Sequence, residues 1–233
     1  MTLYNYSSKD ILEIDLQTGL ITDASITNSD LDNLCSKNIL WNKTELRDSN
    51  CNNASFSVSR LTECNFYRSS FINTQFSDCR FNNDTMHSLS LIKVKFINSK
   101  IRNVLFDSCT MQRAEFTKDI IETSTIKDVE GIYSDFSNTV FINCFFELTY
   151  GNGMNGFSSA VFDNCLFYRC RFLGNPLRGA KTNNCTFASC EGEITDDIEA
   201  DCCYGLPAIR QQTYLELKNY DAAMNLIKEV LND

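Results

Sequence analysis

An elongated repeat solenoid is the fold class this sequence predicts, and three observations carry the prediction. Residues 54–83 divide without remainder into six pentads, ASFSV, SRLTE, CNFYR, SSFIN, TQFSD and CRFNN, each with one large apolar residue at its centre. The same phase runs from Ile11 to Phe146, and resumes one residue out of step from Phe157 to Phe187. Of the 17 phenylalanines, all but Phe145 fall on a centre, where a random phase would place about one fifth of them. A period of five fits neither an amphipathic helix nor an alternating strand, so self-similarity governs the reading.

With the centre called i, position i−2 is small in each of the six pentads (Ala54, Ser59, Cys64, Ser69, Thr74, Cys79), and i−1, i+1 and i+2 are mostly polar. One large inward residue per pentad is buried only when pentads stack, so phenylalanine stacks on phenylalanine, each gaining about 1.5–3 kcal/mol. A second bulky residue per side would overfill the interior at about 1–3 kcal/mol per site, which keeps i−2 small.

These residues resemble the pentapeptide-repeat family over roughly residues 11–190, the motif being a small residue at i−2 and Leu or Phe at i. The resemblance implies an all-β fold, a right-handed four-sided parallel β-helix with four pentads per coil, i and i−2 inward, and about nine coils. This chain departs from the family pattern in carrying Ser, Cys and Thr more often than Ala at i−2.

Taken in order, residues 1–10 precede the regular repeat and are expected to cover the first coil, because an open sheet edge invites pairing with another chain. Ser36 and Gly131 are the poor centres. Trp41, the centre after Ser36, is expected to fill a locally reshaped coil. The Gly-rich stretch at 148–159 breaks the phase and marks a loop with Gly151, Asn152 and Met154 at its tip. Two readings of it stand: a partner contact, as in quinolone-resistance members of the family, or a loop absorbing one inserted residue. The segment 191–205 reads as an acidic connector without the Gly and terminal Glu of an EF-hand loop. Residues 206–233 read as a helix or helical hairpin, with Pro207 in a first turn and Asp221 as N-cap of a second helix. That tail resembles part of a tetratricopeptide repeat, and it either caps the rod or makes a homodimer through its apolar residues Leu215, Met224, Ile227 and Leu231.

Composition narrows the function. The net charge is −9, but residues 1–190 are nearly neutral and the acidity concentrates after them. No apolar run reaches membrane-spanning length, and the N-terminus lacks the basic-then-apolar order of a secretory signal, so a cytoplasmic protein is expected. Export by a signal-peptide-independent secretion system needs no such pattern and stays open. Eight of the 12 cysteines (Cys64, Cys79, Cys109, Cys144, Cys165, Cys170, Cys185, Cys190) occupy i−2 and read as reduced core thiols. No CxxC or paired histidine suggests a metal. The lone histidine, His87, falls at the outward position i+1, and GNGMNG lacks the Lys and Ser or Thr of a phosphate loop. No catalytic residue, metal or cofactor is therefore expected, and the chain reads as a non-enzyme.

Two functional classes remain: a protein-binding scaffold or effector-type module using the rod's faces, and a DNA-mimic modulator of a type II topoisomerase, as some family members are. Mimicry needs acidic columns, and aligning coils of 20 residues yields none, so the scaffold is preferred and no direct nucleic-acid contact is expected. The same alignment stacks Arg60, Arg80 and Lys100 at i−1 of consecutive coils, with Arg102 beside them. Leu20 and Leu40 flank this strip on one side, Ile120 and Val140 on the other. It reads either as side chains splayed into solvent or as a face for an acidic partner.

Overall fold

Each pentad builds one side of a square coil. Residues i−1, i and i+1 form a three-residue strand, as in Arg80–Asn82, where only the central Phe81 is fully buried. Residue i+2 then turns the corner in the left-handed region, from Asp23 (φ 49°) through Asn83 (φ 59°) to Ser189 (φ 53°). Asn and Asp, which tolerate that conformation, take many of these corners. Position i−2 of the next pentad points inward again.

The computed structural model describes residues 4–6, 19–149, 156–192 and 202–203. Their strands stack as a parallel four-sided β-solenoid of about eight turns. We number the faces in the order the chain visits them. Face one, centred on Ile21, and face two, centred on Ile26, are each ten-stranded parallel sheets. Face three, centred on Leu31, is held by isolated bridges such as Asn50 to Ser70, and its corner closes as a β-turn in which the N–H of Thr74 donates to the carbonyl of Phe71. Face four contains a five-stranded sheet running from Cys35–Lys37 to Glu115–Thr117. Pairing is in register with a 20-residue step, as in Phe76 opposite Phe56 and Phe96.

Phenylalanine columns fill the interior. On face four, Phe56, Phe76, Phe96, Phe116, Phe136 and Phe162 stack nearly parallel with centroids 4.7–5.0 Å apart. Neighbouring faces meet edge-on, as Phe76 and Phe81 do at 5.2 Å and 75°. Phe145, the off-phase aromatic, is outward and half-buried, with the Arg171 guanidinium 5.5 Å from its ring centre.

The departure from Ala at i−2 has a physical reason. The Thr74 hydroxyl donates to the carbonyl of Cys51 (2.6 Å), Thr139 to Phe116 (3.0 Å), and the Cys79 and Cys144 thiols to Phe56 (3.5 Å) and Ile121 (3.2 Å). Small donors thus tie one coil to the carbonyls of the coil before it. The eight i−2 cysteines are all buried and free. Burial pushes the thiols of Cys79, Cys64 and Cys109 up to about 11, 12 and 12.

Three sequence expectations change. The coil of Ser36 is not reshaped: Ser36 pairs in register with Phe56, Trp41 meets the Phe56 ring edge-on at 6.0 Å, and neither Ser36 Oγ nor Trp41 Nε1 has a hydrogen-bond partner. Gly131 is not an empty centre, since a Cβ there would lie 2.4 Å from the Phe157 ring, which occupies its space. Finally, Phe136, Phe141 and Phe146 pair or stack with Phe162, Phe167 and Phe172 at a step of 26 residues. The insertion is therefore six residues, which a phase slip of one conceals because it equals one whole pentad plus one.

About eight turns compare with the nine expected over 11–190, of which 11–18 lie outside the described residues. At the other end, Glu191–Gly192 and Cys202–Cys203 extend faces two and one, so strand pairing reaches into the segment read as a connector. The helix expected at 206–233 lies outside the described residues.

Candidate functional site: a basic groove on face one

The corner between faces four and one opens into a groove of about 620 Å³ over the first coils. One wall is the corner residues Asn38, Val58, Asp78 and Asn98; the other is the outward column Leu40, Arg60, Arg80 and Lys100, and Gly19 closes the upper end. The column follows from strand pairing, which sets Arg80 directly opposite both Arg60 and Lys100. Coil stacking sets the backbone positions that carry these charges about 4.8 Å apart along the rod.

Several other cations on the rod behave differently. Lys95 reaches Glu115 at 2.8 Å, Lys127 reaches Glu147 at 3.7 Å, and Arg68 grips Asp48 with two bonds of 2.8 Å, each pair being one coil apart. The Arg68 guanidinium holds the Asp48 carboxyl below its ordinary range. Arg60, Arg80 and Lys100 make no ion pair among the described residues, and each faces another cation. Unit charges held at that spacing would repel by about 0.8 kcal/mol per pair in bulk water. Asp78, the acid in the groove, accepts instead from Asn98 Nδ2 at 2.6 Å.

The chain has likenesses to known proteins. Residues 59–136 match the family profile described as a pentapeptide repeat region. The chain carries a pentapeptide-repeat region. No curated protein sequence matches it significantly. Among solved structures, HetL, a pentapeptide repeat protein involved in heterocyst differentiation regulation from the cyanobacterium Nostoc sp. strain PCC 7120, is 12% identical with a TM-score of 0.42, over 86% of this chain and 92% of that one. QnrB1, a plasmid-mediated fluoroquinolone resistance protein, is 15% identical with a TM-score of 0.44, over 87% and 96%.

Within the pentapeptide-repeat rod, the sequence-selected residues separate. Arg60, Arg80 and Lys100 share one column. Arg102 lies at the i+1 position of the Lys100 strand, outside the groove lining, and faces Glu122 at 3.7 Å. Gly151, Asn152 and Met154 lie outside the described residues. The apolar flanks are unequal: Leu20 (46%) and Leu40 (39%) are exposed, whereas Val140 (7%) is buried. Ile120, next to Lys100, is half-buried, so the upper flank offers a partner the larger apolar surface.

Val58 is a groove residue that sequence reasoning passed over. It is half exposed and sits in the left-handed region at φ 52°, an unfavourable place for a β-branched side chain. Its position at i+2, where the repeat otherwise favours Asn and Asp, was the available signal. Buried carboxylates were missed as well. Asp84 and Asp119 occupy the inward i−2 position, and burial pushes both up to about 7 despite the backbone N–H groups of Cys64 (2.7 Å) and Ser99 (2.6 Å) that donate to them. His87 is half-buried, with Nδ1 2.9 Å from Asp107 Oδ2 and its ring beside Tyr67. No group of three or more His, Cys, Asp or Glu suited to a metal occurs among the described residues, and no helix among them is long and apolar enough to cross a membrane.

Proposed function

We propose that the chain is a non-catalytic protein-binding scaffold whose face-one groove takes an acidic segment of a partner protein. The observation that carries this reading is the column Arg60, Arg80 and Lys100, three cations stacked in register and lining one groove with no ion pair among the described residues, whereas Arg68, Lys95 and Lys127 each meet an acid one coil away. An incoming carboxylate would relieve that repulsion. The exposed Leu20, Leu40 and Val58 add apolar area at the upper end, so the fitting segment carries acidic residues followed by apolar ones. Charge then steers encounter and the apolar end slows release.

The test is capture from cell extract by the wild-type chain and by the triple variant Arg60→Glu, Arg80→Glu, Lys100→Glu. These side chains are outward, so the variant is expected to fold normally and to lose the partner. Unchanged capture by a folded triple variant would dispose of the proposal. Mimicry of DNA is the weaker reading, since outward columns of acids do not occur among the described residues. A gyrase supercoiling assay separates the two, because a scaffold of this kind leaves that reaction unaffected.

A further inference from the structure

Face one carries a second feature, independent of the groove. Val140, Ile142 and Leu166 occupy outward positions on their strands, yet they are 7%, 1% and 3% exposed and form a cluster separate from the rod's interior, with Tyr168 packed against it. Leu20 and Leu40, in the same outward column, are 46% and 39% exposed, so a flat sheet alone does not bury an apolar side chain here. The cluster is covered from outside the sheet.

We infer that the covering element is the chain's own C-terminal segment, residues 204–233, folded back along face one instead of sitting over the rod's end. Strand pairing places its starting point. Val140 pairs with Leu166, Leu166 with Thr186, and Thr186 with Cys202, so the last described strand is the next rung of the same column. From Cys202, Leu166 is two rungs away and Val140 three, about 10 and 15 Å at 4.8 Å per rung. Residues 204–233, if helical at 1.5 Å per residue, span roughly 45 Å, ample to cover both. The segment brings apolar residues at helical spacing, Met224, Ile227 and Leu231, with Leu215 before them. Other candidates within the chain fit less well. Residues 150–155 follow Thr149, which stands at the far edge of face two, and 7–18 join Tyr6 to Gly19, both at the opposite end of the rod. The C-terminal segment would then form the lower border of face one, leaving the basic groove open above it.

The test uses the full-length chain with Tyr168 replaced by the photocrosslinker p-benzoylphenylalanine, in an equal mixture of light and isotopically heavy protein. Crosslinks from residue 168 into 204–233 within one isotopic form are expected. Crosslinks between forms would assign the cover to a second copy. Crosslinks to 150–155 or 193–201, or none at all, would likewise overturn the inference. As a second readout, Leu166→Glu should raise amide hydrogen exchange in 204–233 by tenfold or more while leaving the strands at residues 60–107 protected. Unchanged exchange in 204–233 would contradict it.

Discussion

Replacing Asp119 by Asn should stabilise this protein at alkaline pH and leave it unchanged in acid. Asp119 is fully buried at an inward position that normally holds Ser, Cys, Thr or Ala. One carboxylate oxygen accepts from Ser99 N–H at 2.6 Å and the other has no partner. Its ionisation is shifted from an ordinary 3.8 to about 7, with burial the largest cause. The folded state therefore holds the proton more tightly than the unfolded chain. Stability contributed by the protonated form is complete below about pH 4, declines as pH rises, and is gone above about pH 7. At about 1.4 kcal/mol per pH unit the full loss is roughly 4 kcal/mol, an upper bound because local relaxation screens part of it. Asn keeps the acceptor for Ser99 and resembles the protonated acid, its Nδ2 replacing the unpartnered hydroxyl. Urea unfolding at pH 5 and pH 8 is the assay. Asp119→Asn should gain about 2–4 kcal/mol at pH 8 and less than half as much at pH 5. A variant less stable than wild type at pH 8, or an equal change at both pH values, would refute the assignment of a buried, reluctantly ionised carboxylate.

Other consequences are equally direct. Phe106→Asp puts an unpaired charge into the stacked interior and should abolish soluble expression, while Phe145→Asp, outward on its strand, should cost about 1 kcal/mol or less; equal damage would mean the register is wrong. With native protein at pH 8, Cys35, which is exposed, should label with a thiol reagent far faster than Cys64, Cys79 or Cys109, whose titration is pushed to 11 or above; mass spectrometry of the labelled peptides reports the order. Val58→Asn should stabilise the chain by about 1 kcal/mol in urea unfolding, since it relieves a β-branched residue of a left-handed conformation; a loss of stability would show that Val58 packs more than its exposure implies.

Much of this was legible in the sequence because the five-residue phase assigns every residue a side. Phase alone put Phe106 inside, Phe145 outside, the cysteines at i−2 in the interior, and Arg60, Arg80 and Lys100 in one column. It failed where phase is blind. A six-residue insertion looks like a slip of one, and Gly131 looked like a missing centre because the ring that fills its place, Phe157, arrives from the next coil. Asp84 and Asp119 were in plain phase at i−2, but a pattern of small residues drew attention from exceptions that polar backbone groups of the stacked coils accommodate. The burial of Val140 and Leu166 depends on what lies above the sheet, which no repeat register records.

The groove claim is most directly tested by fluorescence anisotropy of a labelled peptide, six glutamates followed by three leucines, titrated with the full-length chain at 50 and 300 mM salt. The proposal predicts saturable binding to wild type that weakens at least tenfold at the higher salt, and loss of binding by the Arg60→Glu, Arg80→Glu, Lys100→Glu variant at both. Binding that is indifferent to salt, or that survives the triple reversal in a normally folded chain, would contradict it.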